Sequence, residues 1–258
     1  MNDEMKFYAG VDIGSVSIKA ALVNSRRLIA SEIIVSGGTY RETSKRVLDN
    51  ILNHANLDIS KLSGIVVTGL GNGSAPFPAR QMSDISCQAM GCRCLFPSAR
   101  TFIDIGGQFT KVARITPDGK VADFLLSEKC ATGSGRFLQV IARILQIKVE
   151  DIGPLSLKSK NPTEFSTNCA VFAESETVSR IAEGTPVEDI LAGVHRAMAA
   201  KVAMLVKRVR MEPDVVLVGG GGEDAGLVKA VGDSLGVKIL VPEQPRISAA
   251  YGAACLAG

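Results

Sequence analysis

Two short segments of this chain share an order of residue types that suits phosphate binding. Residues 10–19 read GVDIGSVSIK, and residues 102–111 read FIDIGGQFTK. Each segment places an Asp-Ile-Gly triplet after an apolar residue and a Lys seven positions after the Asp. Asp12 and Asp104 are 92 positions apart, as are Lys19 and Lys111. The matched spacing indicates an internal duplication of one chemical unit.

The residue types in these segments favour binding of a polyphosphate together with Mg²⁺. Glycine accepts positive φ values and lets backbone N–H groups approach an anion closely. A carboxylate at the end of a buried strand is costly unless it meets a cation, water or hydrogen-bond donors. Mg²⁺ binds carboxylates, phosphate oxygens and retained waters. We therefore predict two strand–turn–strand units that hold a polyphosphate from both sides; two unrelated hairpins with a chance triplet are the alternative.

A third glycine-containing segment leaves an apolar strand and enters a helix. Residues 215–224 read VVLVGGGGED, and the four glycines would let a flat ring lie against bare backbone. A flexible turn between strand and helix is the alternative interpretation. The chain has neither a Gly-x-x-x-x-Gly-Lys-Ser/Thr phosphate loop nor a Gly-x-Gly-x-x-Gly fingerprint. These absences argue against a P-loop NTPase and against a Rossmann dehydrogenase.

Strand-like and helix-like segments alternate along the chain, which predicts an α/β fold. We predict one lobe over residues 1–97, with residues 246–258 packing back on it, and a second lobe over residues 98–245. The predicted strands are 7–12, 20–23, 65–68, 101–104, 112–115, 121–126, 215–218 and 237–241. The predicted helices are 41–55, 83–95, 135–145, 173–182, 187–209, 225–235 and 247–256.

The three glycine turns resemble those of the acetate kinase, sugar kinase, Hsp70 and actin superfamily. That resemblance implies two duplicated, ribonuclease H-like lobes with a nucleotide cleft between them, and ATP or ADP with Mg²⁺ as the bound groups. It assigns Asp12 and Asp104 to Mg²⁺ and its waters, and Gln108 to the catalytic set with them. The residues expected to line the phosphates are Gly14, Ser15, Lys19, Gly106, Gly107 and Gln108. Gly220 and Gly221 are expected to lie under the adenosine.

Two of the six cysteines, Cys130 and Cys169, each stand just before a predicted helix. A helix N-terminus stabilises anions, so thiols there have a lowered pKa and favour metal binding. Iron–sulfur clusters commonly need four thiolates, so two per chain would call for two subunits around a two-fold axis. Two buried cysteines that serve only in packing are the alternative.

The segments around these cysteines resemble the activators of 2-hydroxyacyl-CoA dehydratases and the ATPase subunits of benzoyl-CoA reductase. Residues 130–138 read CATGSGRFL, residues 168–176 read NCAVFAESE, and the similarity covers nearly the whole chain. The resemblance implies that Cys130 and Cys169 bind one [4Fe-4S] cluster per dimer, in a homodimer or with a paired homologous subunit. It also implies ATP-dependent transfer of a low-potential electron from a donor such as ferredoxin or flavodoxin. The acceptor would be an iron–sulfur acyl-CoA dehydratase or reductase.

One position departs from that family. Its members often have Asp after Gly-Gly-Gln, where this chain has Phe109. If that Asp helps to position Mg²⁺ or water, the chain hydrolyses ATP differently or favours an asymmetric partner; the reductase subunits vary more at this turn. A small-molecule kinase of the amino-sugar type and a nucleotide-dependent binding module without electron transfer are the alternative functions.

The composition excludes some other classes of protein. A net charge of +3 without a basic run does not favour nucleic-acid binding. No apolar run approaches the roughly 18–20 residues that span a bilayer, and the first residues do not read as a signal peptide, so we expect a cytoplasmic protein. The cysteines are then thiols or metal ligands rather than disulfides. Those expected to serve only as thiols are Cys87, Cys92, Cys94 and Cys255.

Overall fold

The computed structural model describes residues 6–127, 133–165 and 170–258. It divides into two compact units. The first comprises Met1–Ala99, Ile115–Val121 and Arg246–Gly258, and the second comprises Arg100–Arg114 and Ala122–Pro245. Each unit contains one five-stranded sheet with helices packed on it, which confirms the predicted α/β class.

The described helices belong to both units and are numbered in chain order. They are α1 (Tyr40–His54), α2 (Asp84–Leu95), α3 (Gly135–Leu145), α4 (Val149–Ser156), α5 (Ala170–Ala182), α6 (Val187–Arg208), α7 (Ala225–Leu235) and α8 (Ser248–Ala257). In the described part of the chain, no helix combines the length and the apolar character needed to cross a membrane.

The sheet of the first unit begins with an antiparallel hairpin. Its strands are β1 (Phe7–Ile13), β2 (Ser17–Asn24), β3 (Arg27–Val35), β4 (Leu62–Thr68) and β5 (Arg80–Gln81), in the order β3-β2-β1-β4-β5. β1 pairs antiparallel with β2 and parallel with β4. The inward faces of β1, β2 and α1 form an apolar core that fixes the position of the β1–β2 turn.

The sheet of the second unit repeats this plan. Its strands are β6 (Thr101–Ile105), β7 (Thr110–Ile115), β8 (Val121–Leu126), β9 (Val215–Val218) and β10 (Ile239–Leu240), in the order β10-β9-β6-β7-β8. When β6 is matched with β1, every strand of the second sheet occupies the position of its counterpart in the first. β6 likewise pairs antiparallel with β7 and parallel with β9. The duplication seen in two ten-residue segments therefore extends to whole sheets.

Three of the described strands and helices, β3, the two-residue β5 and α4, were not predicted from the sequence. β3 lies at the edge of its sheet, and its Arg, Ser and Glu residues break the apolar pattern that marks a buried strand. α4 contains Gly153 and Pro154, residues that normally end a helix. Gly153 is required there because a Cβ atom would lie 2.7 Å from Asp224 Oδ1 and 3.1 Å from the Ala225 nitrogen. Tertiary packing thus overrides the local signal.

Candidate functional site

The turn between β1 and β2 is organised by an ion pair across the hairpin. Asp12 and Lys19 are direct partners in the strand register, and Lys19 Nζ donates to Asp12 Oδ2 at 3.0 Å. Only 16% of the Lys19 side chain and 13% of the Asp12 side chain are exposed. A Cβ atom on Gly14 would lie 2.8 Å from the Ser17 oxygen and 3.2 Å from Lys19 Nζ. Glycine therefore lets the lysine fold over the turn towards the carboxylate.

The turn between β6 and β7 has the same construction. Asp104 and Lys111 face each other in register, and Lys111 Nζ donates to Asp104 Oδ2 at 3.3 Å. Gly106 closes the turn by donating its N–H to the Phe109 oxygen at 3.0 Å. That hydrogen bond uses the backbone of residue 109, so the turn keeps its shape whichever side chain stands there.

A second glycine supports each aspartate from the neighbouring parallel strand. Gly69 follows β4 with φ +86°, and a Cβ atom there would lie 2.5 Å from Asp12 Oδ1. Gly219 follows β9 with φ +76°, and a Cβ atom there would overlap Asp104 Oδ1 and lie 2.7 Å from the Ile105 oxygen. Each carboxylate is therefore fixed between a lysine and a glycine that admits no side chain.

Sequence reasoning missed the glycine turn of the first unit. Gly69-Leu70-Gly71 follows an apolar strand, as Gly219-Gly220-Gly221 does. The last glycine of each turn packs on the isoleucine after the aspartate, Gly71 on Ile13 and Gly221 on Ile105. The signal was a shared Gly-x-Gly after a strand. This shared pattern is hard to recognise in the sequence because its distance from the aspartate differs between the two units: 57 positions separate Gly69 from Asp12, whereas 115 separate Gly219 from Asp104.

A buried histidine contacts the aspartate that ends the turn expected to bind adenosine. Gly220 is exposed with open space where a Cβ atom would be, whereas Gly221 is buried. Asp224 ends this turn and caps α7, accepting from the Leu227 N–H at 2.9 Å. His195 of α6, 1% exposed, places Nε2 3.0 Å from Asp224 Oδ2. His195 thus positions the turn through Asp224.

The backbone of the β6–β7 turn is hydrogen-bonded to the start of α3. The Gly135 N–H donates to the Gly106 oxygen at 2.9 Å, and the Arg136 N–H donates to the Gly107 oxygen at 3.1 Å. These two carbonyl groups belong to the turn predicted to line the phosphates, so the turn and the first residues of α3 are directly connected.

Thr110, the first residue of β7, contacts both sides of the segment that carries Cys130. Its backbone oxygen accepts from the Ser127 N–H at 2.9 Å, and its hydroxyl donates to the Gly133 oxygen. Cys130 itself and Cys169 lie outside the described residues. One buried threonine therefore fixes the two described residues that border residues 128–132.

The predicted site residues fall into two groups, each inside one unit. The first unit brings Asp12, Gly14, Ser15 and Lys19 to the β1–β2 turn. The second unit brings six to the β6–β7 turn and the turn after β9. These six are Asp104, Gly106, Gly107, Gln108, Gly220 and Gly221. Within the described ranges, no three His, Cys, Asp or Glu side chains gather into a metal-binding group.

Comparison with known proteins places these features in a family. The model of the BadF/BadG/BcrA/BcrD ATPase family matches residues 9–257. The 2-hydroxyisocaproyl-CoA dehydratase activator of Clostridioides difficile is 39% identical over 249 residues, covering 96% of this chain and 93% of that protein. The (R)-2-hydroxyglutaryl-CoA dehydratase activating ATPase of Acidaminococcus fermentans is 37% identical, covering 96% and 95%.

A solved structure supports the same relationship. The activator of the 2-hydroxyisocaproyl-CoA dehydratase from Clostridium difficile, with bound ADPNP, superposes with a TM-score of 0.92 at 38% identity. The match covers 97% of this chain and 94% of that one. The actin-like ATPase fold that the sequence motifs implied is thereby confirmed.

The glycine after β9 provides a test of the close packing around Asp104. We expect Gly219→Ala to lower the free energy of unfolding by about 1–3 kcal/mol more than Gly184→Ala, because the new methyl group overlaps the carboxylate and the Ile105 oxygen. Gly184 is a matched control with φ +77° and no atom within 4 Å of an added Cβ atom. Urea unfolding measures both variants. Equal losses would show that backbone strain alone, not the contact with Asp104, requires glycine.

Proposed function

The chain belongs to the BadF/BadG/BcrA/BcrD ATPase family, and from that premise we propose that it hydrolyses ATP to activate a partner enzyme acting on an acyl-CoA. The proposed partner is an iron–sulfur 2-hydroxyacyl-CoA dehydratase or a benzoyl-CoA-type reductase in the cytoplasm. The observation that carries the proposal is the pair of Asp–Lys hairpins, each supported by a positive-φ glycine from the neighbouring strand. The names of the matched activators support the choice of partner.

In the proposed nucleotide site, each hairpin exchanges one ionic partner for another. Lys19 and Lys111 are paired with Asp12 and Asp104 in the structure. A triphosphate would attract both ammonium groups, and each aspartate would then turn to Mg²⁺ and its waters, the partners that hard cations and carboxylates favour. The exchange keeps every largely buried charge paired, which avoids the cost of an isolated carboxylate.

The remaining predicted residues surround the bound nucleotide in this proposal. Backbone N–H groups of the two hairpin turns would donate to phosphate oxygens, as glycine-containing turns do for anions. These turns are formed by Gly14, Ser15, Gly106 and Gly107. The Gln108 amide would orient the attacking water, and the bare backbone of Gly220 and Gly221 would lie under the adenosine.

We assign Cys130 and Cys169 as the two ligands that this chain contributes to a shared [4Fe-4S] cluster. A second chain, identical or homologous, would complete the four thiolates. Cys169 directly precedes α5, whose N-terminus favours an anionic thiolate. When bound, the cluster would supply the low-potential electron, received from ferredoxin or flavodoxin, that the partner enzyme needs.

The contacts of Thr110 and α3 suggest how nucleotide state would reach the cysteines. The carbonyl groups of the Gly106-Gly107 turn bond to the first N–H groups of α3, and Thr110 holds Ser127 and Gly133. We propose that loss of the terminal phosphate shifts this turn and, through these bonds, the segment that contains Cys130. In proteins, a small shift at a nucleotide site is amplified into a rearrangement of the packed elements attached to that site.

Loss of either aspartate is expected to stop ATP hydrolysis. Asp12→Ala and Asp104→Ala should each lower the rate of phosphate release by at least about 100-fold, as loss of a charged transition-state partner commonly does. Asp233→Ala, an exposed aspartate of α7 paired with Lys229, should leave the rate unchanged. Phosphate release is measured without oxygen, in parallel samples with and without glucose as an acceptor. Phosphate appearing on glucose instead of in water would favour the kinase alternative.

Replacing either proposed cluster ligand is expected to remove the iron. Cys130→Ser and Cys169→Ser should abolish the brown colour and bound iron of protein purified without oxygen, because the serine hydroxyl is a poor ligand for this cluster. Cys92→Ser, a buried thiol in α2, should keep both. The iron content per dimer and the visible spectrum measure the effect. A colourless wild-type protein that binds ATP would overturn the redox half of the proposal.

Thr110→Val tests the proposed transmission of nucleotide state. It removes one hydroxyl group at nearly constant volume, so ADPNP binding should persist while the ADPNP-induced change in the electron paramagnetic resonance spectrum of the reduced protein disappears. Thr43→Val is the matched control, since Thr43 is also buried and its hydroxyl donates to the Gly37 oxygen in the other unit. An unchanged response in Thr110→Val would rule out this route.

A further inference from the structure

Helices α2 and α8 of the first unit touch through their backbones. A Cβ atom on Gly252 would overlap the Cys87 oxygen and the Gly91 nitrogen, and a Cβ atom on Gly91 would overlap the Ser248 oxygen. Only glycine at both positions permits so close an approach. The two helices therefore have little room to separate or slide without losing this packing.

The helices run parallel, and their register continues to a pair of cysteines. Gln88 Nε2 donates to Ser248 Oγ at 2.5 Å, and one turn further along each helix the two glycines meet. Another turn further lie Cys94 and Cys255, separated by the same 161 positions as Gly91 and Gly252. Cys94 packs against the apolar cluster that contains Cys255, and the two thiols are hydrogen-bonded to each other.

The surroundings of this thiol pair favour one anionic sulfur. The hydrogen bond from Cys255 lowers the pKa of Cys94 to about 7, and the positive charges of Arg26 and Arg93 act in the same direction against desolvation. The same hydrogen bond to Cys94, together with burial, raises the pKa of Cys255 above its ordinary value. Cys94 is half-buried and Cys255 is buried, so the anionic sulfur is the more accessible of the two.

We propose that Cys94 and Cys255 form a peroxide-oxidised dithiol that closes to a reversible disulfide between α2 and α8. The Cys94 thiolate attacks one oxygen of hydrogen peroxide and breaks the O–O bond; the hydroxide that leaves takes up a proton to become water. The resulting sulfenic acid reacts with the Cys255 thiol, an S–S bond forms, the S–O bond breaks and a second water leaves. The two thiols lose two electrons, and the peroxide gains them.

Neighbouring cysteines of the same helix do not share this chemistry. Cys92 is buried and its sulfur accepts from Gln88 Nε2 at 3.8 Å. Burial raises the pKa of Cys87 to about 11, although the Thr68 hydroxyl opposes the shift. The raised pKa keeps the Cys87 thiol protonated near neutral pH, and the thiolate is the reactive form, so Cys87 and the buried Cys92 serve as internal controls.

Trypsin separates these cysteines, so the bond can be located directly. Cleavage after Arg93 leaves Cys94 in residues 94–100, Cys255 in residues 247–258, and Cys87 with Cys92 in residues 81–93. The iron-loaded full chain is treated briefly with hydrogen peroxide at pH 7.5, alkylated and digested without reductant. We expect a disulfide-linked pair of peptides, residues 94–100 and 247–258, that dithiothreitol separates by reduction. We also expect Cys94 to be oxidised at least about tenfold faster than Cys92.

Variants decide whether the two thiols act together. In Cys255→Ser and Cys255→Ala, Cys94 should accumulate as a sulfenic acid that dimedone traps, whereas the wild type should yield almost no adduct. Cys92→Ser should form the linked peptides as the wild type does. Circular dichroism confirms that each variant is folded. Three results in the wild type would overturn the proposal: Cys94 that stays a free thiol after treatment, Cys94 that is oxidised beyond the sulfenic acid, or Cys94 linked to a cysteine other than Cys255.

Discussion

Each of the two sheets depends on a carboxylate near the end of a largely buried strand. Asp12 and Asp104 are each the second-last residue of such a strand, and each is neutralised by a lysine directly opposite in the hairpin. Removing one partner of such a largely buried pair would leave the other charge uncompensated, so the pair constrains the strand register. The positive-φ glycines Gly69 and Gly219 then close the remaining side of each carboxylate. Each of the two sheets contains this arrangement once.

The sequence predicted the parts of this arrangement that are local. The Asp-Ile-Gly triplet and the lysine seven positions later form one hairpin, so their spacing records the geometry of the turn. The α/β class and several exact elements, such as 135–145 and 215–218, followed from periodicity and from glycine boundaries. These features depend on residues that are near one another in the chain.

The features that were missed depend on distant residues. Gly69 meets Asp12 only because β4 pairs in parallel with β1, a pairing that no short segment encodes. Gly153 of α4 packs against Asp224 and Ala225, about 70 positions further along the chain. The two contacts of Thr110 join residues 17 and 23 positions away. Each of these relations is fixed by the pairing of strands and the packing of helices.

In the second unit, a few hydrogen bonds join the β6–β7 turn and β7 to the described residues on either side of the segment that contains Cys130. Two carbonyl groups of the turn, the start of α3 and the single residue Thr110 make the connection. Because hydrogen bonds are directional, a displacement of the turn cannot leave these partners unchanged. The proposed function therefore requires no long chain of contacts within this unit between the nucleotide phosphates and Cys130.

The proposed function requires that Lys19 and Lys111 both take part in nucleotide binding. Isothermal titration calorimetry of Mg²⁺·ADPNP into the wild type, Lys19→Met, Lys111→Met and the double variant tests it most directly. We expect one site per chain and lower affinity in both single variants. The loss of binding free energy in the double variant should differ from the sum of the two single losses, as is typical of two residues that act on one ligand. Two independent sites, or full affinity after loss of either lysine, would contradict it.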